Sequence, residues 1–205
     1  KPKQSGSITI LWAEWKPSEY LRELVKDFTK ETGIEVIVQT EPWPTFQNKA
    51  FKELDVKGAA YDMVVGDSQW LGRSIQKGHY IELTSWVKER KVNESMLPAT
   101  MVGYSEYPKG TQRYWSVPLE GDANGWAYRK DLFEDPKEKE AFKIRYGYEL
   151  AAPQTWEQLL DISAFFHRPD KGVYGVSPWT SAEYDGITMG FQPVLWAWGA
   201  DLGDA

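Results

Sequence analysis

The chain has 205 residues, enough to bury a sizeable core as one large domain or two small ones. It has no cysteine, which excludes disulfides and cysteine-based zinc sites. Its 24 Lys and Arg against 30 Asp and Glu give a net charge of −6 with no basic block, which argues against binding nucleic acid through its phosphates.

No stretch approaches the ~18 apolar residues of a membrane span, and the sequence opens at Lys1 without an apolar leader. The unusual feature is the aromatic content: 11 Trp, 11 Tyr and 8 Phe. Trp and Tyr outside helices offer broad apolar faces with a polar edge, the kind of surface that stacks on a ligand.

In chain order, Ser7–Trp12 reads as a strand. Ser18–Lys30 reads as a helix, with Tyr20, Leu21, Leu24, Val25 and Phe28 at helical spacing, Pro17 at its start and Gly33 as its cap. Ile34–Gln39 is a second strand. Thr45–Val56 is a second helix that should bury Phe46, Ala50, Phe51 and Leu54. Tyr61–Val65 is a third strand, and Gly66–Trp70 leads to a helix ending near Gly78. Alternating strands and helices predict right-handed crossovers and a mostly parallel sheet.

Ligands of such sheets bind beyond the carboxyl ends of the strands. The segments Ala13–Trp15, Glu41–Pro44 and Gly66–Trp70 fall there, and each carries a tryptophan and an acidic residue.

The middle is less regular. Leu83–Lys88 and Met96–Thr100 read as short helical turns, and Tyr114–Leu119 as a strand. Gly125–Arg129 is extended. Lys130–Glu134 leads into a charged helical run, Pro136–Tyr146. Thr155 to Gln158 forms a capping box ahead of a helix with Leu159, Leu160, Ile162, Phe165 and Phe166. A turn at Asp170–Gly172 precedes a strand, Val173–Ser177. Gly186–Trp198 reads as a helix bent near Pro193 and stopped by Gly199. On these helices Trp156, Trp196 and Trp198 should be core.

Nucleotide-binding glycine motifs, His-Glu-x-x-His and Gly-x-Ser-x-Gly are absent. No cofactor or metal site is expected, and His79 and His167 read as surface or boundary residues. Glu14, Asp67, Glu120 and Asp122 fall in loops or at strand ends. Two facing carboxylates could perform glycosidase chemistry. Loop carboxylates more often cap helices, accept ligand hydroxyls or face solvent than catalyse. A glycan-active enzyme, or a sugar-binding module of another fold, therefore stays open beside a plain binding protein.

Several runs resemble one family. They are Tyr61-Asp62-Met63-Val64-Val65-Gly66-Asp67-Ser68-Gln69-Trp70, Lys77-Gly78-His79-Tyr80-Ile81-Glu82-Leu83-Thr84, Tyr128-Arg129-Lys130-Asp131-Leu132-Phe133, Pro153-Gln154-Thr155-Trp156-Glu157-Gln158-Leu159 and Trp196-Ala197-Trp198-Gly199-Ala200-Asp201-Leu202. In this order and spacing they resemble the extracellular solute-binding proteins of bacterial carbohydrate ABC importers, the maltose-binding-protein-like family. Arg129 departs from the usual Asn.

The resemblance implies a two-lobed, periplasmic-binding-protein-like α/β fold with mostly parallel sheets. Residues 1–119 would form the first lobe, 120–125 a hinge crossover with Gly121 and Gly125, and 126–205 the opening part of a second lobe left incomplete here. A C-terminal continuation or complementing segment would finish it. The implied function is capture of a carbohydrate, with many aromatics favouring an oligosaccharide, and delivery to the membrane subunits of an ABC importer. The implied location is periplasmic or cell-surface, with no chemistry and no cofactor. The implied ligand contacts are Glu14, Trp15, Trp43, Asp67, Gln69 and Trp70 in the first lobe. Asp122 would contribute at the crossover, and Trp179, Tyr184 and Asp185 in the second lobe. Trp faces would cover the apolar face of a sugar while carboxylates accept from its hydroxyls.

Overall fold

The computed structural model describes residues 6–121, 123–180 and 186–200. The chain divides into two compact units, Lys1–Asp122 and Ala123–Ala205. The architecture is mixed α/β around a parallel sheet, as the alternation of elements predicts.

The first unit opens with β1 (Ser7–Ala13), α1 (Lys16–Thr32), β2 (Glu35–Glu41), α2 (Trp43–Asp55) and β3 (Met63–Val64). The sheet order is β2-β1-β3, all parallel, with Ser7 opposite Glu35, Ala13 opposite Glu41 and Ile10 opposite Met63. Gly33, at φ 80°, caps α1 in the left-handed conformation that only glycine adopts without cost.

The two crossover helices reach the sheet through residues of opposite parity. Arg22 of α1 donates to the Val38 carbonyl (3.2 Å) and the Thr40 hydroxyl (2.7 Å), whereas Lys49 of α2 donates to Glu41. Neighbouring strand residues point to opposite faces, so α1 and α2 cover different sides. Leu11, Trp12 and Ala13 are accordingly all buried in succession. The best-covered stretch of the central strand is its carboxyl end.

The expected third strand is cut short. The Asp62 carboxylate accepts the Thr9 N–H (2.8 Å), a donor the ladder would otherwise use, so only Met63 and Val64 pair as strand. A short 3₁₀ turn, Ser68–Trp70, then runs into α3 (Leu71–Gln76). Three small helices follow: α4 (Thr84–Glu89), α5 (Val92–Ser95) and α6 (Pro98–Tyr104).

The strand expected over Tyr114–Leu119 is absent. Tyr114 makes one antiparallel bridge with Glu106, its carbonyl accepts from Leu83 N–H, and Trp115 N–H goes to the Ser105 carbonyl. Those backbone groups are used by loops, not by a strand partner.

The second unit holds α7 (Lys130–Glu134), α8 (Pro136–Tyr146) and α9 (Trp156–Phe166) around a core of Phe133, Phe142, Leu150, Ile162, Phe165 and Phe166. The Thr155 hydroxyl caps α9 by accepting the Gln158 N–H (3.2 Å). The Gln158 side chain accepts from Gln154 N–H instead of from the cap residue, so half of the expected capping box is made. A π-helical stretch, Gly186–Phe191, leads into α10 (Gln192–Ala197).

The strand expected over Val173–Ser177 is also absent. Val173 bridges back to Arg168 across a tight turn, and among the described residues no strand lies beside the rest. The helical faces expected to be core are partly open. Tyr20, Leu24 and Phe28 of α1 are exposed, as are Trp196 and Trp198. A six-residue α10 buries less than a full amphipathic helix would.

Candidate functional site

The corners that follow β1, β2 and β3 bring their tryptophans together. Trp15 directly precedes α1, Trp43 begins α2, and Trp70 closes the turn after β3. Trp12 meets Trp15 edge-on (centroids 5.8 Å apart), Trp15 meets Trp43 (5.5 Å), and Trp43 meets Phe46 (5.8 Å). Phe46 and Phe51 then flank Trp70 at 5.4 and 4.9 Å. The result is one continuous aromatic chain along the carboxyl edge of the sheet.

The three tryptophans differ in what they present. Trp15 and Trp43 are half-buried. Trp70 is only 2 % exposed, so its ring belongs to the core beneath the corners. Gly66 explains how that ring fits. A Cβ at this position would lie 2.7 Å from Trp70 Cε3 and 3.2 Å from the Tyr80 hydroxyl.

Each exposed corner is braced by its own sequence. The Ser18 hydroxyl, fully buried, donates to the Trp15 carbonyl (2.7 Å) and accepts the Trp15 N–H (3.3 Å). The Glu14 N–H donates to the Glu41 carbonyl at 2.9 Å, which ties the first corner to the second. The Glu41 carboxylate accepts from Thr45 Oγ1 and from Lys49 Nζ, both at 2.6 Å. Those bonds, Lys49 first, hold its carboxyl below the usual carboxylate range.

The polar groups at this edge are Glu14, Asp67 and Gln69. Glu14 and Gln69 are exposed and Asp67 is half-buried. Asp67 precedes the 3₁₀ turn, whose Trp70 N–H donates to the Asp67 carbonyl (3.0 Å). Tyr80 lies close by; burial raises its phenol pKa, and the negative charge of Asp67 adds to the rise. Such an edge offers hydroxyl acceptors beside aromatic faces, and no metal is needed for either. Among the described residues no group of three or more His, Asp or Glu could hold a metal ion.

In the second unit Trp179 stands half-exposed in the irregular segment after Val173. Its backbone carbonyl occupies the space that a side chain at position 190 would need, so the close approach requires Gly190. Asp122, Tyr184 and Asp185 lie outside the described residues.

Sequence reasoning missed three contributors. Ser18 and Tyr80 carry no signal by themselves. Glu41 did carry one, because Thr45 and Lys49 follow it at helical spacing. His79, read as a surface or boundary residue, is a half-buried boundary residue whose imidazole turns inward. Its side chain is 2 % exposed and its Nε2 lies 3.1 Å from Asp55, which also takes Lys77 and Arg73.

Comparison with known proteins follows the same lines. The family described as bacterial extracellular solute-binding protein matches residues 12–204. The mannitol-binding protein of Pseudomonas aeruginosa is 32 % identical over 83 residues, which is 40 % of this chain and 16 % of that protein. An ABC transporter solute-binding protein from Agrobacterium radiobacter, solved with ribitol, superposes with a TM-score of 0.67 at 26 % identity, covering 83 % of this chain and 40 % of that one. The maltose-bound MalE3 of T. maritima has the same fold, with a TM-score of 0.60 at 20 % identity over 97 % of this chain and 47 % of its own. The chain thus spans less than half the length of these relatives.

Proposed function

Because the chain belongs to the bacterial extracellular solute-binding proteins, we propose that it captures a carbohydrate or sugar alcohol and delivers it unchanged to the membrane subunits of an ABC importer. Members of this family are binding proteins of transporters, and the location that goes with this role is periplasmic or cell-surface. The observation that carries the reading is the convergence of the strand-end corners at the carboxyl edge of a parallel sheet, with Trp15, Trp43 and Trp70 in one aromatic chain. Trp15 and Trp43 supply aromatic surface, and Glu14, Asp67 and Gln69 supply partners for hydroxyls.

Trp179, Asp122, Tyr184 and Asp185 complete the proposed contact set from the crossover and the second unit.

A small ligand is the first to test. The aromatic count suggested an oligosaccharide, but the burial of Trp70 removes one of three stacking surfaces. The relatives named for mannitol and solved with ribitol point to sugar alcohols. Calorimetric titration with D-mannitol, ribitol and maltose tests the reading. Binding with the compound recovered intact supports a receptor, and its conversion would favour a glycan-active enzyme.

A further inference from the structure

We propose that Glu41 is a positioning residue for Trp43, bracing the corner that presents this ring to a ligand. The inference rests on the receptor reading above. Trp43 starts α2 behind Pro42, and no side chain of Pro42 can cap that helix. Two prolines flank the tryptophan, Pro42 and Pro44, which restricts its backbone. Beside the buried face of Phe46, Ala50 and Phe51, Glu41 supplies a polar tie between the sheet and this helix.

Its backbone is the last residue of the β1–β2 ladder, opposite Ala13, and its carbonyl accepts the Glu14 N–H. Its carboxylate reaches past Trp43 to Thr45 and Lys49, which lie one turn apart on α2. A single residue therefore joins β1, β2 and the first two turns of α2, and Trp43 sits inside that loop of contacts. The Glu41 and Lys49 side chains are 20 % and 37 % exposed, so the pair is partly shielded. Lys49 in turn approaches Tyr61, whose hydroxyl lies 3.4 Å from Gln39 Nε2. The brace thus extends to the chain entering β3. An aromatic ring already held in place loses less freedom when a ligand binds.

The test uses Glu41→Gln, which keeps the shape and removes the charge, and Lys49→Met, which breaks the same brace from its other end. The probe is whichever of D-mannitol, ribitol or maltose the wild-type protein binds most tightly. Each variant should lose about three- to tenfold in affinity, the range expected when one side chain must be ordered on binding. In a Trp43→Ala background the same substitutions should change affinity by less than about twofold, because no ring remains to be positioned. A purely structural pair would lower the melting temperature without this dependence on Trp43. Unchanged binding by Glu41→Gln and Lys49→Met overturns the proposal. So does an equal loss in both backgrounds, since Glu41 would then act on the ligand or the fold directly. A wild-type protein that binds none of the probes overturns the receptor reading itself, and this proposal with it.

Discussion

The ring of Trp15 stands edge-on to the ring of Trp43, with centroids 5.5 Å apart and planes at 75°. The two belong to successive βα corners, joined by the hydrogen bond from Glu14 N–H to the Glu41 carbonyl. An edge-to-face pair contributes about 0.5–1.5 kcal/mol beyond its buried area. Two rings in direct contact and so far from parallel do not form a slot for a sugar between them.

The corner tryptophans Trp43 and Trp70 should separate by experiment. Trp43→Ala should cost about 1.5–3 kcal/mol of ligand binding, the scale of exposing a large apolar side chain, with a small loss of stability. Trp70→Ala removes a ring packed against Phe46 and Phe51 and should cost about 3–5 kcal/mol of folding stability. Urea unfolding beside calorimetric titration measures both. A Trp70→Ala protein with wild-type stability would remove Trp70 from the core.

Gly66→Ala should destabilise the first unit by about 1–3 kcal/mol, the usual cost of overpacking. The new Cβ would meet the Trp70 ring at 2.7 Å, and that ring is too tightly buried to step aside. The companion Gly66→Ala/Trp70→Leu variant should regain part of the loss. If Gly66→Ala unfolds at the wild-type urea midpoint, the packing described around Trp70 is wrong.

Much of this arrangement was legible in the residues, for reasons that differ by element. The β1–α1–β2–α2 run follows from clear periodicity, proline starts and the Gly33 cap. The tryptophans at the strand ends followed from the rule that places ligands there. What could not be read was competition for hydrogen bonds. The Asp62 carboxylate accepts the Thr9 N–H of β1 that the ladder to the third strand would use, and the Tyr114 carbonyl accepts from Leu83 N–H, so two strand-like stretches are shortened or lost. Periodicity could not say whether Trp70 faced the core or solvent either. Nor could it foresee that the His79 imidazole would turn inward beside Asp55.

The second unit carries a test of pH dependence. Arg168 forms a two-pronged pair with Glu138 at 2.6 and 2.7 Å, and this bond holds the Glu138 carboxyl below its ordinary 4.5. A carboxylate with a lowered folded-state pKa stabilises the fold above its unfolded value. That stabilisation drains away as the pH falls through the lower folded value. Glu138→Gln should therefore flatten the decline in unfolding midpoint between about pH 5 and pH 3. At neutral pH it should cost about 1 kcal/mol, since both side chains keep some contact with water. Equal acid slopes for wild type and variant would show that the pair does not link folding to pH.

Trp179 should behave as a surface residue in the absence of ligand. The residue is 50 % exposed, so Trp179→Ala should leave thermal unfolding nearly unchanged while lowering ligand affinity about ten- to hundredfold. The same variant melting many degrees lower with full affinity would make it a packing residue.

On the proposed function, the carboxyl edge of the sheet, with Trp43, receives a carbohydrate or sugar alcohol. Isothermal titration of the wild-type protein and of Trp43→Ala with D-mannitol, ribitol and maltose tests it most directly. The wild type should bind at least one of these, Trp43→Ala should bind the same compound at least about tenfold more weakly, and the compound should be recovered unchanged. A wild type that binds none of them, or a Trp43→Ala variant with undiminished affinity, would contradict it.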